Sequence, residues 1–171
     1  MTAARGYIVR DADSADRDAI RDLTLSAYSE YAEVMEPDSW AGLSAAVHAA
    51  LASSDPMERI VADDHGTLIG SVLLYPASAR AYGDLTAEAS IPELRLLAVA
   101  REARGRGVGR ALVDECIRRA RFSGAAALGL HTSKSMAAAM QLYERMGFER
   151  APELDFQPPG AELVWGFRLK L

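Results

Sequence analysis

The residues best suited to do chemistry are concentrated in one run, Arg101 to Arg110, R-E-A-R-G-R-G-V-G-R. Arg101, Arg104, Arg106 and Arg110 cluster there, although the chain carries a net charge of -5. Gly105, Gly107 and Gly109 alternate between them. The apolar stretch Leu94 to Ala100 leads in, and Val108 onward reads as a helix. A helix start exposes unpaired N–H groups and a partial positive charge, so it attracts anions. Glycine lets a phosphate approach that backbone closely, and successive N–H groups can form a concave nest. The P-loop spacing G-x-x-x-x-G-K-[ST] is absent, and a dinucleotide fingerprint beginning at Gly105 would need glycine where Arg110 stands. The chemistry to expect is therefore phosphate binding of another kind.

Elements that would position this run can be read on either side of it. Gly6 to Arg10 reads as a first strand, and Ile20, Leu23, Ala27, Tyr28, Tyr31 and Met35 as one helix face interrupted at Pro37. Ser39 is placed to cap a second helix carrying Trp40, Leu43, Val47 and Leu51, with His48 beside that stripe as a surface or half-buried residue. Arg59 to Asp63 and Thr67 to Tyr75 are strands joined by the hairpin turn Asp63-Asp64-His65-Gly66, with Gly70 marking a bulge or a close approach. Residues 76–92 form a long irregular loop in which Tyr82, Asp84 and Glu88 are the polar candidates for contact with a substrate. The central strand begins after Pro92, with Glu93, Arg95 and Leu97 expected on one side and Leu94, Leu96 and Ala98 on the other. The helix from Gly107 to Phe122 holds Cys116 as a packed small residue and ends at Gly124. Ala125 to Thr132 is a strand, Met136, Met140, Tyr143 and Gly147 follow one face of a helix, Phe148 to Pro152 restarts a strand, and Glu162 to Leu171 is the last strand.

Arg104-Gly105-Arg106-Gly107-Val108-Gly109 matches [QR]-x-x-G-x-[GA], and Leu142-Tyr143-Glu144-Arg145-Met146-Gly147-Phe148 matches L-Y-x-x-x-G-F. Both blocks, in this order and at this separation, resemble the GNAT superfamily of N-acetyltransferases, most specifically between Glu93 and Phe148. The resemblance implies an α/β fold in a single domain spanning residues 1–171, a mixed, bent sheet of six or seven strands with helices on both faces. It also implies acetyl-CoA as co-substrate. Arg104, Gly105, Arg106, Gly107, Val108, Gly109 and Arg110 would hold its pyrophosphate. Main-chain groups of Leu97, Ala98 and Val99 would pair with its pantetheine arm beside a bulge that splays the next strand. An N–H of Leu97 or Val99 is placed to polarise the thioester carbonyl.

By the same likeness Tyr143 corresponds to the tyrosine that stabilises or protonates the departing thiolate. His131 stands where some relatives carry an acidic base. Glu93, acting through water, is the second candidate, and a reaction with no dedicated base is the third. Met136 departs from the asparagine that many relatives use to bind the cofactor, and a thioether donates no hydrogen bond; Ser133 or Ser135 would supply a substitute contact. The connection between the first two helices would form one wall of the acceptor site. Glu30, Glu33, Glu36 and Asp38 make it negative, with Tyr31, Met35 and Trp40 interleaved, which suits a protonated amine or else an ordinary solvated helix face. The activity implied is acetyl transfer from acetyl-CoA to a primary amine by direct attack in a ternary complex, the amine belonging to a small molecule. A protein N-terminus or lysine is the alternative acceptor. A non-catalytic acyl-CoA-binding module is the alternative of another class.

Composition bounds the rest. The 171 residues, 50% hydrophobic and 25% charged, suit one ordinary globular domain. A single cysteine forms no internal disulfide, no apolar run approaches a membrane span, and the first residues lack a signal-peptide core, so a cytoplasmic protein without membrane contact is expected. The acidic balance argues against nucleic acid as a partner. No metal is expected, and the last strand is an edge that could pair two subunits, leaving monomer or homodimer.

Overall fold

A computed structural model gives the fold of residues 6–77 and 90–171. Seven strands form one mixed sheet in the order β1-β2-β3-β4-β5-β7-β6: β1 Ile8–Asp11, β2 Glu58–Asp64, β3 Thr67–Tyr75, β4 Glu93–Val99, β5 Ala127–Thr132, β6 Glu149–Arg150 and β7 Trp165–Lys170. The helices are α1 Arg17–Tyr28, α2 Pro37–Ala52, α3 Val108–Phe122 and α4 Ala137–Arg145.

The two faces of β3 show how the layers form. Leu73 and Tyr75 join Val47, Ala50 and Leu96 in a cluster with Leu25 and Tyr28, which seats α1 and α2 on one face. Val72 and Leu74 alternate to the other face, where Ala111, Leu112, Cys116 and Ile117 of α3 complete the main core with Tyr143 of α4. Gly70 is the contact point of β3 with the start of α3. A Cβ there would lie 2.7 Å from Val108 Cγ1 and 2.9 Å from Leu112 Cδ1, so glycine sets how closely the helix approaches. Gly70 also lies beside a register shift at Ala62/Asp63, so bulge and close approach coincide. In the β2–β3 turn His65 (φ 52°) and Gly66 (φ 91°) are both left-handed, as a tight hairpin requires.

β4 does not alternate simply. Leu73 opposes Arg95 but Ser71 opposes Ala98, so β4 carries one residue more than β3 over this stretch, and Leu96 takes φ 51°. As a result Arg95 and Leu96 both face the α1–α2 side, while Leu97 and Val99 join Leu94 on the α3 side. The expected grouping of Leu97 with Arg95 is corrected by this bulge. Beyond it β4 and β5 separate: their parallel pairing is confined, among the described residues, to Glu93 opposite Gly129.

Four further expectations are corrected. The first helix ends at Tyr28 and passes into a 3-10 turn, Ser29–Glu33, instead of running to Pro37. Pro37 starts α2 as its first residue, a position where the missing N–H costs nothing. Ser39 therefore does not cap α2; its hydroxyl accepts the Glu162 N–H at 2.8 Å. The last strand is not an edge, because β7 lies between β5 and β6, and the edges are β1 and the two-residue β6. Tyr82, Asp84 and Glu88 lie outside the described residues.

Candidate functional site

The glycine-rich run lies between β4 and α3. Gly105 (φ 77°) and Gly107 (φ 78°) adopt left-handed backbone, and nothing lies within 4 Å of where either Cβ would stand. An L-residue would be strained at both. Gly107 precedes α3 without a side-chain cap, and the first turn of α3 has no acidic residue. The first intrahelical bond runs from Ala111 N–H to Gly107 carbonyl, 3.0 Å, so the N–H groups of Val108, Gly109 and Arg110 are the open donors of the helix start. Gly109 has a different reason for being small: its Cβ would lie 3.3 Å from Leu142 Cδ2 and 3.6 Å from Val99 Cγ2.

The arginines around this nest are held by carboxylates. Glu30 accepts from Arg101 Nη2 at 2.5 Å and from Arg104 Nη2 at 2.7 Å, and the Arg104 bond foremost holds its carboxyl below the usual range. Arg106 pairs with Asp64 at 2.8 Å, and Arg110 faces Asp114 at 3.8 Å. Guanidiniums that take a carboxylate in this way present the same fork to a phosphate. Glu30, expected in an acceptor wall, pairs with Arg101 and Arg104 instead.

The splay between β4 and β5 opens next to the nest. Ala100 N–H donates to Ile69 carbonyl of β3 at 2.9 Å, so strand alternation turns the N–H groups of Leu97 and Val99 away from β3 and into the gap. These donors and those of the nest lie at the two ends of the connection from β4 to α3. Tyr143, on α4, is 5% exposed, with its ring edge-on to Phe148 at 5.8 Å. Burial pushes its phenol well above 10, with the nearby Tyr28 and Tyr31 adding to the shift. The phenol is therefore neutral near neutral pH. Cys116 is buried and pushed up to about 12 by burial, consistent with its packing role.

On the other side of the β4 bulge lies a cavity of about 290 Å³. Arg95 and Leu96 of β4, His131 and Thr132 at the end of β5, Ser133 and Met136 form its inner wall. Tyr28, Met35, Ser39, Gly42, Leu43 and Ala46 close it from the α1–α2 side, and Phe156, Pro158, Ala161, Glu162 and Val164 from the β6–β7 connection. The Arg95 guanidinium stacks 5.5 Å from the Tyr75 ring centroid.

His131 in this wall meets the other base candidate, Glu93, behind it. His131 Nδ1 lies 2.5 Å from Glu93 Oε1, and His131 Nε2 lies 2.8 Å from the Leu154 carbonyl. A carbonyl only accepts, so Nε2 carries a hydrogen. The Nδ1–Oε1 contact is a hydrogen bond only with a proton between the two atoms. Glu93 and His131 thus form one buried, proton-sharing unit that ties β4, β5 and the β6–β7 connection together. Neither ring nitrogen offers a lone pair to the cavity. The first and second base candidates are thus direct hydrogen-bond partners of each other.

Of the residues expected to face an acceptor, Met35 lines the cavity, and Tyr31 packs edge-on to Tyr28 at 5.5 Å. Glu33 is exposed, and neither it nor Trp40 is in the cavity wall. Ser135 Oγ donates to Glu162 Oε2 at 3.3 Å, and Met136 stands at the start of α4 in the cavity wall. His48 is exposed, with Nδ1 2.8 Å from the Ser44 carbonyl. Sequence reasoning missed Tyr28, Arg95, Thr132, Phe156 and Glu162 as cavity residues. Only Arg95 left a signal, sharing the face of Glu93 two residues away. Among the described residues no group of three or more His, Cys, Asp or Glu could hold a metal ion, and no helix is long and apolar enough to cross a membrane.

A nest at a helix start, a bulged central strand and a splayed neighbour together make up the site. The profile of the Acetyltransferase (GNAT) family matches residues 17–148, and the chain belongs to that family. It is 32% identical over 93 residues to N-acetyltransferase family 8 member 3 of Rattus norvegicus; the match covers 54% of this chain and 39% of that protein's length. The fold is similar to the GCN5-related N-acetyltransferase from Kribbella flavida (TM-score 0.64, 26% identity, 99% of this chain and 100% of that one). It is also similar to the PaiA N-acetyltransferase from Thermoplasma acidophilum, solved in complex with coenzyme A (TM-score 0.67, 16% identity, 96% and 99%).

Proposed function

We propose that the protein transfers acetyl from acetyl-CoA to the primary amine of a small molecule, by direct attack with both substrates bound. The observation that carries this is the cavity of about 290 Å³ that meets the splay at Leu96 and Thr132. Its size is at the lower end of small-molecule sites. The β6–β7 connection and α2 contribute to its walls, which favours a small acceptor over an extended peptide.

In this reading Gly105–Arg110 and the start of α3 hold the diphosphate, helped by Arg101 and Arg104, and Leu97 and Val99 bind the pantetheine arm through their N–H groups. Acetyl-CoA supplies the activated thioester. An N–H of the bulged segment stabilises negative charge on the thioester oxygen, and Tyr143 donates a hydrogen bond to the departing sulfur. A thiol near pKa 8.5 is more acidic than a buried phenol, so Tyr143 stabilises the thiolate without surrendering its proton. Because Glu93 and His131 already share a proton, their role is to position β5 against β4. The amine loses its proton through water to solvent.

Calorimetric titration with acetyl-CoA, followed by acetylation of an amine panel, tests this. Wild type should bind acetyl-CoA and acetylate small amines. Gly107→Glu, which puts a carboxylate in the nest, should abolish binding. Unchanged binding in Gly107→Glu would remove the nest from the site. Binding of acetyl-CoA with product only on peptides would replace the small-molecule acceptor by a protein one.

A further inference from the structure

We infer that Glu162 receives the positively charged amine of the acceptor, and that the acceptor is a monoamine carried on an uncharged, apolar body. This rests on the reading of the cavity beside the β4 bulge as the acceptor site.

Glu162 is held in place from both sides of its connection. Phe156 and Val164 exchange backbone hydrogen bonds of 3.1 and 2.8 Å, and the Glu162 N–H donates to Ser39 Oγ of α2 at 2.8 Å. Glu162 is one of the residues lining the cavity. One carboxylate oxygen, Oε2, takes a long hydrogen bond of 3.3 Å from Ser135. The other, Oε1, is buried and has no hydrogen-bond partner among the described residues. Two more acceptor-capable atoms of residues lining the cavity, Thr132 Oγ1 and Ser133 Oγ, are also buried without a partner among the described residues. Buried polar atoms are nearly always satisfied, and a carboxylate oxygen is among the costliest to leave bare. An ammonium group brings three donors and a positive charge, which suits one carboxylate oxygen and two hydroxyls.

The other carboxylates near the site are committed elsewhere. Glu93 pairs with His131, and Glu30 with Arg101 and Arg104. Glu33, Glu36 and Asp38 are exposed and outside the cavity wall. Glu162 is thus the acid that the cavity wall itself presents, among the described residues. Around it Met35, Leu43, Leu96, Phe156 and Val164 offer apolar surface for the body of the substrate. Arg95 is the one arginine or lysine among the described residues lining this wall, which disfavours a second cationic group and so polyamines and basic peptides.

The test compares ligands of equal shape and different charge on the full chain saturated with coenzyme A. Phenethylamine and 2-phenylethanol are titrated calorimetrically into wild type, Glu162→Gln and Glu162→Asp, and amine turnover with acetyl-CoA is followed in parallel. Wild type should bind the amine at least tenfold more tightly than the alcohol. Glu162→Gln should erase that preference while leaving alcohol and coenzyme A affinity unchanged, and Glu162→Asp should retain part of it. In turnover Glu162→Gln should raise KM for the amine at least tenfold with kcat within about threefold of wild type. An undiminished amine preference in Glu162→Gln, tighter binding of spermidine than of phenethylamine, or no binding of the amine to wild type each overturns the inference. Charge-dependent binding without any acetylated product would instead refute the transfer reading and leave the ammonium site standing.

Discussion

Replacing Gly70 with alanine should damage coenzyme A binding from a position that touches no cofactor atom. The added Cβ would lie 2.7 Å from Val108 Cγ1, 2.9 Å from Leu112 Cδ1 and 3.3 Å from the Ala98 carbonyl. Comfortable carbon contacts begin near 3.5 Å, so the first turn of α3 must move away from β3 by about 1 Å. Overpacking of this kind costs about 1–3 kcal/mol, which in a domain of this size lowers Tm by several degrees. The same shift carries the open N–H groups of Val108, Gly109 and Arg110 off their positions. A hydrogen bond to a charged group is worth about 1.5–3 kcal/mol, so the loss of one predicts about 10- to 150-fold weaker coenzyme A binding. Gly124→Ala is the control. Gly124 ends the same helix with φ 78° and open space where its Cβ would stand, so alanine there brings strain without displacing the start of α3. Urea unfolding and calorimetry with coenzyme A on both variants decide the matter. Both should lose stability and only Gly70→Ala should lose affinity. Wild-type affinity in a folded, destabilised Gly70→Ala, or equal affinity loss in Gly124→Ala, would refute the link between this packing contact and the nest.

Tyr143→Phe should lower kcat about 10- to 150-fold, by the loss of one charge-assisted hydrogen bond, with acetyl-CoA affinity within about twofold; wild-type kcat would remove the hydroxyl from the reaction. Because burial raises this phenol, its contribution should also persist to alkaline pH, with no fall of wild-type kcat traceable to it near pH 10. Glu115, hydrogen-bonded by Arg118 and Arg119, is held down to about 2, against an ordinary 4.5. A depressed folded-state value stabilises the fold above pH 4.5 and ceases to do so as pH falls toward 2. Glu115→Gln should therefore unfold at lower urea than wild type at pH 7, by at most about 3 kcal/mol and less after solvent screening. The gap should close between pH 4.5 and 2, and a gap that widens on acidification would contradict the assigned pairing.

What could be read in the chain alone was local. Gly105, Gly107 and the helix that follows announce a nest because positive φ and an open helix start are properties of consecutive residues. The strands of the β2–β3 hairpin, the α3 stripe around Cys116 and the family likeness at Leu142–Phe148 were legible for the same reason: each depends on periodicity or spacing within about one element. The parity of β4 was not, because a bulge at Leu96 changes which side every later residue faces, and it exists only through pairing with β3. Whether β7 is an edge depended on β6 returning outside it. The acceptor side was least legible. Glu162 reaches Ser39 across 123 positions of sequence and Ser135 across 27, and His131 meets Glu93 across 38. The acidic run from Glu30 to Asp38 looked functional by composition, yet packing turned Glu30 to the arginines and left Glu33 in solvent. Composition places charge near a site, but only tertiary packing decides which carboxylate lines a cavity and which stays in solvent.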